Sequence, residues 1–173
     1  MLQKLSFLGF ILFLQINLFA QKDDSFIPDE FVLETAEDYA PYEDNIVGAI
    51  DYLSSNPIDD RDELRAAAEK MFLLWITGSP SVNVHINPYL IEIVEKNPAF
   101  LPLFMGGWTK YVIQNPDQKD NHLQGNLEGL EMVLDFYQKG KDFGVVKDKK
   151  VAKLLKIQKA GKLKEHIKDQ IPQ

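Results

Sequence analysis

The feature that most limits how this chain can fold is one run of apolar residues spaced by four, three, four and three positions. The run consists of Leu123, Leu127, Leu130, Leu134 and Tyr137. Side chains with this spacing share one face of an α-helix. Because the run is too short for a free-standing coiled coil, it predicts a core helix. We expect this helix to start at Asp120 or Asn121 and to stop at Gly140.

Similar patterns along the chain predict an all-α single domain of about six helices packed as antiparallel hairpins. The clearest of them covers residues 60–76, where Asp60 is the predicted N-cap and Gly78 the predicted left-handed stop. Other helices are predicted from Pro41 to about residue 55, over residues 87–96, from residue 98 or 102 to 114, over 148–159 and over 162–168.

Two pairs of glycines predict a close contact between helices. Gly106 and Gly107 adjoin inside one predicted helix, where each glycine costs about 1 kcal/mol relative to alanine. That cost indicates either the close approach of another backbone or a bend. Gly125 and Gly129 lie one turn apart beside the leucine run, so they predict a flat strip for a neighbouring helix.

One short segment, residues 81–86, departs from the helical period. Val82, Val84 and Ile86 alternate there with Asn83 and His85, which is the period of a strand. A lone strand cannot pair its own backbone groups. We therefore expect either an extended loop or an unpaired edge.

The N-terminus has the order of a secretory signal peptide, predicted to cover residues 1–20. Lys4 precedes a mostly apolar run over residues 5–14, and Ala20 stands at the predicted cleavage point. The run is shorter than the ~20 apolar residues that cross a bilayer, although a retained anchor is the alternative. Cleavage would leave an acidic, loosely structured segment at 21–40 and a helical domain at 41–170, with no transmembrane span. We expect a periplasmic or secreted protein.

Residue types exclude several kinds of site. The chain has no cysteine, so it has no disulfide, no zinc–thiolate site and no thiol nucleophile. His85, His122 and His166 are never spaced as metal ligands on one helix turn, so neither a metal nor another cofactor is predicted.

The net charge of −7 hides an uneven distribution. Residues 23–63 contain fourteen acidic side chains, whereas residues 139–168 contain eleven lysines, no arginine and a single aromatic residue, Phe143. Nucleic-acid sites combine arginine with interleaved aromatics, so no nucleic-acid partner is expected. The two segments either face each other or are solvated separately.

The sequence favours a non-enzymatic exported protein of the bacterial envelope that binds a protein or a small ligand in a helical groove. The residues proposed for that groove are Trp75, Asn83, His85, Trp108 and Lys110. Two alternatives remain open. One is a hydrolase that uses the loop 77–87, with Ser79 or Ser81 near His85; the other is an adaptor whose basic C-terminus binds anionic surfaces.

Overall fold

Seven α-helices follow one another along residues 23–171, the part of the chain that the computed structural model describes. They are α1 (Glu43–Ser55), α2 (Glu63–Gly78), α3 (Pro88–Val94), α4 (Phe100–Gln114), α5 (His122–Lys139), α6 (Lys149–Lys159) and α7 (Leu163–Lys168). No strand occurs within these residues, so the all-α prediction is confirmed. The predicted signal peptide lies outside the described residues.

Short 3₁₀ helices supplement the α-helices at Ala36–Asp38, Ala40–Tyr42, Pro116–Gln118 and Gly140–Phe143. The second of them carries Pro41 and leads directly into α1. Pro102 lies in the first turn of α4, where its missing N–H removes no helical hydrogen bond. Residues 81–86 form an irregular connection between α2 and α3.

The caps of α2 differ from the prediction, because Asp60 is not the N-cap. Asp62 takes that place and accepts a hydrogen bond from the backbone N–H of Arg65. Gly78 is not a left-handed stop either, since its φ is not positive. A Cβ at Gly78 would collide with the hydroxyl of Tyr39, so this glycine provides space for a neighbouring ring. The caps of α5, Asn121 and Gly140, agree with the prediction.

The tightest packing joins α4 to α5, which run antiparallel. A Cβ at Gly107 would lie 2.5 Å from the carbonyl oxygen of Glu128, and one at Gly129 would lie 2.6 Å from that of Phe104. At Gly125 a Cβ would overlap the Trp108 ring. At Gly107 and Gly129 the two backbones therefore approach as closely as the glycines predicted, because no side chain stands between them there.

The remaining helices pack around this pair. Helix α1 contacts α2, α4 and α5, while α6 and α7 pack against α5, and α3 lies against α4 and α6. From the predicted leucine run, Leu130 and Leu134 are fully buried. No helix within residues 23–171 has both the length and the apolar character needed to cross a membrane.

Residues 23–42 lie against α1. The Phe26 ring is 5.6 Å from that of Tyr52, and its carbonyl accepts a hydrogen bond from Asn45 Nδ2 at 2.8 Å. The Phe31 ring meets Tyr42 edge-on at 4.8 Å. Aromatic contacts of this kind fix the path of residues 23–35, which precede the first 3₁₀ helix and have no regular structure of their own.

Candidate functional site

The irregular connection between α2 and α3 brings two histidines together. His85 belongs to this connection and His122 is the first residue of α5, yet their ring centroids are only 4.1 Å apart. Both side chains are exposed. Each ring also lies beside the indole of Trp108, at 6.0 Å for His85 and 6.1 Å for His122. An accessible pair of imidazoles thus rests on a buried indole.

A buried amide pair holds the backbone under these two rings. Asn126, 1% exposed, donates from Nδ2 to the His122 carbonyl at 2.8 Å. Its Oδ1 accepts from Asn87 Nδ2 and from the Tyr89 hydroxyl, both at 2.9 Å. Asn87 Nδ2 also approaches the carbonyl of His85 at 3.5 Å. Because buried and satisfied polar groups are rigid, this network fixes the backbone at both histidines.

The indole N–H of Trp108 is an exception to hydrogen-bond pairing in the core. Trp108 is fully buried, and its Nε1 has no hydrogen-bond partner among the described residues. Such a group costs about 1–3 kcal/mol of desolvation. By contrast, Nε1 of the equally buried Trp75 donates to the Tyr39 carbonyl at 3.0 Å.

The surroundings of His85 favour the neutral form of its ring. Partial burial lowers the pKa of His85, and the nearby His122 lowers it further. Two charged imidazoles this close would repel each other. The lowered pKa favours the uncharged His85 ring, which keeps a free lone pair on one nitrogen.

Apart from the histidine pair, the surface contains a groove between α1, α4 and α5. It is a groove of about 670 Å³, within the range of small-molecule pockets. Its walls carry four carboxylates and two lysines: Asp51, Glu128, Glu131, Asp135, Lys110 and Lys139. Both lysines are already engaged, Lys110 with Asp51 in an ion pair and Lys139 with the Ser54 carbonyl at 2.9 Å.

Glu131 is the acidic group of the groove with the most perturbed environment. Burial raises its pKa, and the like charges of Glu128 and Asp135 raise it further. Within residues 23–171 its side chain makes no hydrogen bond or ion pair, although Glu128 accepts one from Gln124 at 2.9 Å. The groove therefore contains a crowded carboxylate without a cationic partner.

The five residues proposed from the sequence do not form one site. His85 and Trp108 come together, as expected. Trp75 lies in the core and Asn83 is exposed. Lys110 lines the groove between α1, α4 and α5, and the walls of that groove include neither His85 nor Trp108.

The serines of the loop 77–87 are bound to each other and not to a base. Ser79 Oγ and Ser81 Oγ are 3.1 Å apart, and Ser81 also interacts with Glu43. Neither serine hydrogen-bonds to His85 among the described contacts. A nucleophile needs a base within hydrogen-bond reach, so this arrangement gives no direct support to the hydrolase alternative.

Sequence reasoning missed His122, Asn126 and the acidic groove. The tertiary fold alone brings His122 to His85, since the spacing between them has no local meaning. Asn126 left a weaker signal: it is a polar residue that directly precedes Leu127 on a buried helix face. Buried amides of this kind usually have a specific partner.

Comparison with known proteins identifies no relative. No protein family matches the chain, and neither a curated protein nor a solved structure is significantly similar to it.

Proposed function

We propose that this is a non-enzymatic binding protein of the bacterial envelope, and that the groove between α1, α4 and α5 holds a cationic group of its ligand. The N-terminal signal pattern supports a periplasmic or secreted location. The ligand is a small amine or a lysine- or arginine-bearing segment of an envelope protein.

The observation that carries this proposal is the environment of Glu131. Placing a half-buried carboxylate beside Glu128 and Asp135 costs free energy unless a positive charge is nearby. Lys110 and Lys139 do not supply that charge to Glu131, because neither forms an ion pair with it among the described residues and Lys110 is paired with Asp51. A bound ammonium or guanidinium group would supply it and would gain a charge-assisted hydrogen bond.

The adaptor alternative depends on the C-terminal lysines. Several of them have local partners: Lys150 pairs with Glu92, and Lys164 donates to Gln124 Oε1. Others on α6, such as Lys149, Lys153 and Lys156, are exposed. Lysines that are exposed or paired one by one are typical of a solvated helix face. We therefore rank the adaptor alternative below ligand binding in the groove.

Isothermal titration of the mature chain tests the proposal. Spermidine represents the small amine, and a lysine-rich peptide represents the protein segment. We expect at least one probe to bind, with an affinity that falls as salt rises. Replacing Glu131 with Gln should weaken binding about tenfold, because a charge-assisted bond is lost.

Glu165→Gln is the matched control, since Glu165 is an exposed glutamate on α7 that does not line the groove. It should bind both probes as the wild type does. The proposal is wrong if neither probe binds, or if Glu131→Gln and Glu165→Gln have equal effects. Binding of the peptide alone would identify a protein as the partner.

A further inference from the structure

The histidine pair lies apart from the acidic groove, and nothing in the proposed function uses it. His85 and His122 come from different elements, and their ring centroids stand 4.1 Å apart on the surface. None of the residues that line the groove belongs to this pair. The pair is therefore a separate feature that needs its own explanation.

Packing alone does not explain the arrangement. Exposed imidazoles gain little from contact with each other, and they repel when both are charged. Here the main chain of each residue is nevertheless held by hydrogen bonds to one buried amide pair, Asn87 and Asn126. The rings also share the Trp108 indole as a supporting surface. Such support is typical of groups whose orientation matters.

We propose that His85 and His122 together form a binding site for a divalent transition-metal ion, Cu²⁺, Ni²⁺ or Zn²⁺. Neutral imidazole is a preferred ligand of these ions, and two imidazoles bound to one ion gain from chelation. Among them Cu²⁺ should bind most tightly, following the usual order of divalent affinities.

The surroundings of the pair define what kind of metal site it is. Within residues 23–171 no group of three or more His, Cys, Asp or Glu residues is arranged to hold a metal. Water must therefore complete the coordination. A site with two protein ligands and open positions is exchangeable, unlike the closed four-ligand sites that hold a fold together. The ion is thus a ligand of the folded protein and not a condition for folding.

The test is titration of the mature chain with each metal chloride, using protein prepared without a polyhistidine tag and treated with a chelator. Calorimetry should show one Cu²⁺ bound per chain, with weaker binding of Ni²⁺ and Zn²⁺. Tryptophan fluorescence should fall as Cu²⁺ binds, since Trp108 lies beside both rings. Each of His85→Ala and His122→Ala should lower the affinity about tenfold or more.

His166→Ala is the matched control, because His166 on α7 is the third histidine of the chain and lines a pocket that includes Glu92 and Lys150 but neither His85 nor His122. It should bind metal as the wild type does. The exposed positions of His85 and His122 imply unchanged melting temperatures for their variants without metal. The proposal fails if no metal binds, or if binding survives His85→Ala and His122→Ala. Equal losses in all three variants would indicate only adventitious binding.

Discussion

At the scale of single residues, Trp75 and Trp108 form a natural comparison. Both side chains are fully buried, but only the Trp75 N–H has a hydrogen-bond partner within the described chain. Folding therefore costs the Trp108 N–H its hydration without a bond in return, whereas Trp75 recovers most of that loss. The same residue type stabilises the fold to different degrees at the two positions.

This difference predicts unequal effects of the same substitution. Trp75→Phe removes a paired donor, while Trp108→Phe removes an unpaired one, and both changes shrink the ring alike. We expect Trp75→Phe to lose about 1 kcal/mol more unfolding free energy than Trp108→Phe. Urea denaturation of both variants measures this. Equal losses would show that the Trp108 N–H is paired in solution.

Residue-level roles were only partly predictable from the sequence. That the tryptophans could be core residues follows from their helical periodicity, whereas the proximity of His85 to His122 does not follow from any local pattern. Local periods report which face of a helix is buried. Local periodicity does not predict which distant side chains a connection such as residues 79–87 will bring next to a helix.

At the scale of elements, the glycines of α4 differ in what surrounds them. A Cβ at Gly107 would meet the Glu128 carbonyl oxygen at 2.5 Å, which is backbone and cannot move aside. A Cβ at Gly106 would meet Cγ2 of the Ile50 side chain at 3.0 Å, a contact that a shift of a few tenths of an ångström relieves. Both positions gain about 1 kcal/mol of helix propensity when alanine replaces glycine.

We therefore expect two adjacent substitutions to differ in their effect on stability. Gly107→Ala should destabilise the protein by about 1–3 kcal/mol, because the two helices must separate. Gly106→Ala should stay within about 1 kcal/mol of the wild type, since the propensity gain offsets a small repacking. Thermal unfolding monitored by circular dichroism separates them. A destabilisation of the same size at both positions would contradict the close contact of α4 with α5.

Elements were easier to predict than their ends. The leucine run and the glycine strip lie where the sequence placed them, on α5. The predicted N-cap of α2 was wrong because Asp59, Asp60 and Asp62 all precede the helix, and tertiary contacts decide between them. Asp62 also accepts from the Tyr52 hydroxyl at 2.9 Å, a contact with α1 that no local pattern reveals.

At the scale of the whole molecule, none of the ion pairs among the described residues joins the acidic segment 23–63 to the basic segment 139–168. The lysines that do form ion pairs contact carboxylates from other parts of the fold: Lys110 pairs with Asp51, Lys96 with Asp148 and Lys150 with Glu92. Exposed pairs of this kind contribute little stability each. The fold instead depends on the apolar core, which is consistent with a chain that has no cysteine to cross-link it.

The prediction that belongs to this scale is export. The N-terminal pattern implies that the protein is cleaved after Ala20 when it leaves the cytoplasm. N-terminal sequencing of the protein from the native envelope or culture medium should begin at Gln21 or within a few residues of it. Full-length chain recovered from the cytoplasm would contradict this prediction.

The contact between α4 and α5 also has a kinetic consequence. The two helices are joined by residues 115–121 alone, so bringing them together costs little loop-closure entropy. Contacts between neighbours in sequence form early in folding. We expect this hairpin to be ordered in the transition state, while the contact of residues 23–42 with α1 forms afterwards. A change at Gly107 would then mainly slow folding, whereas a change at Phe26 would mainly hasten unfolding.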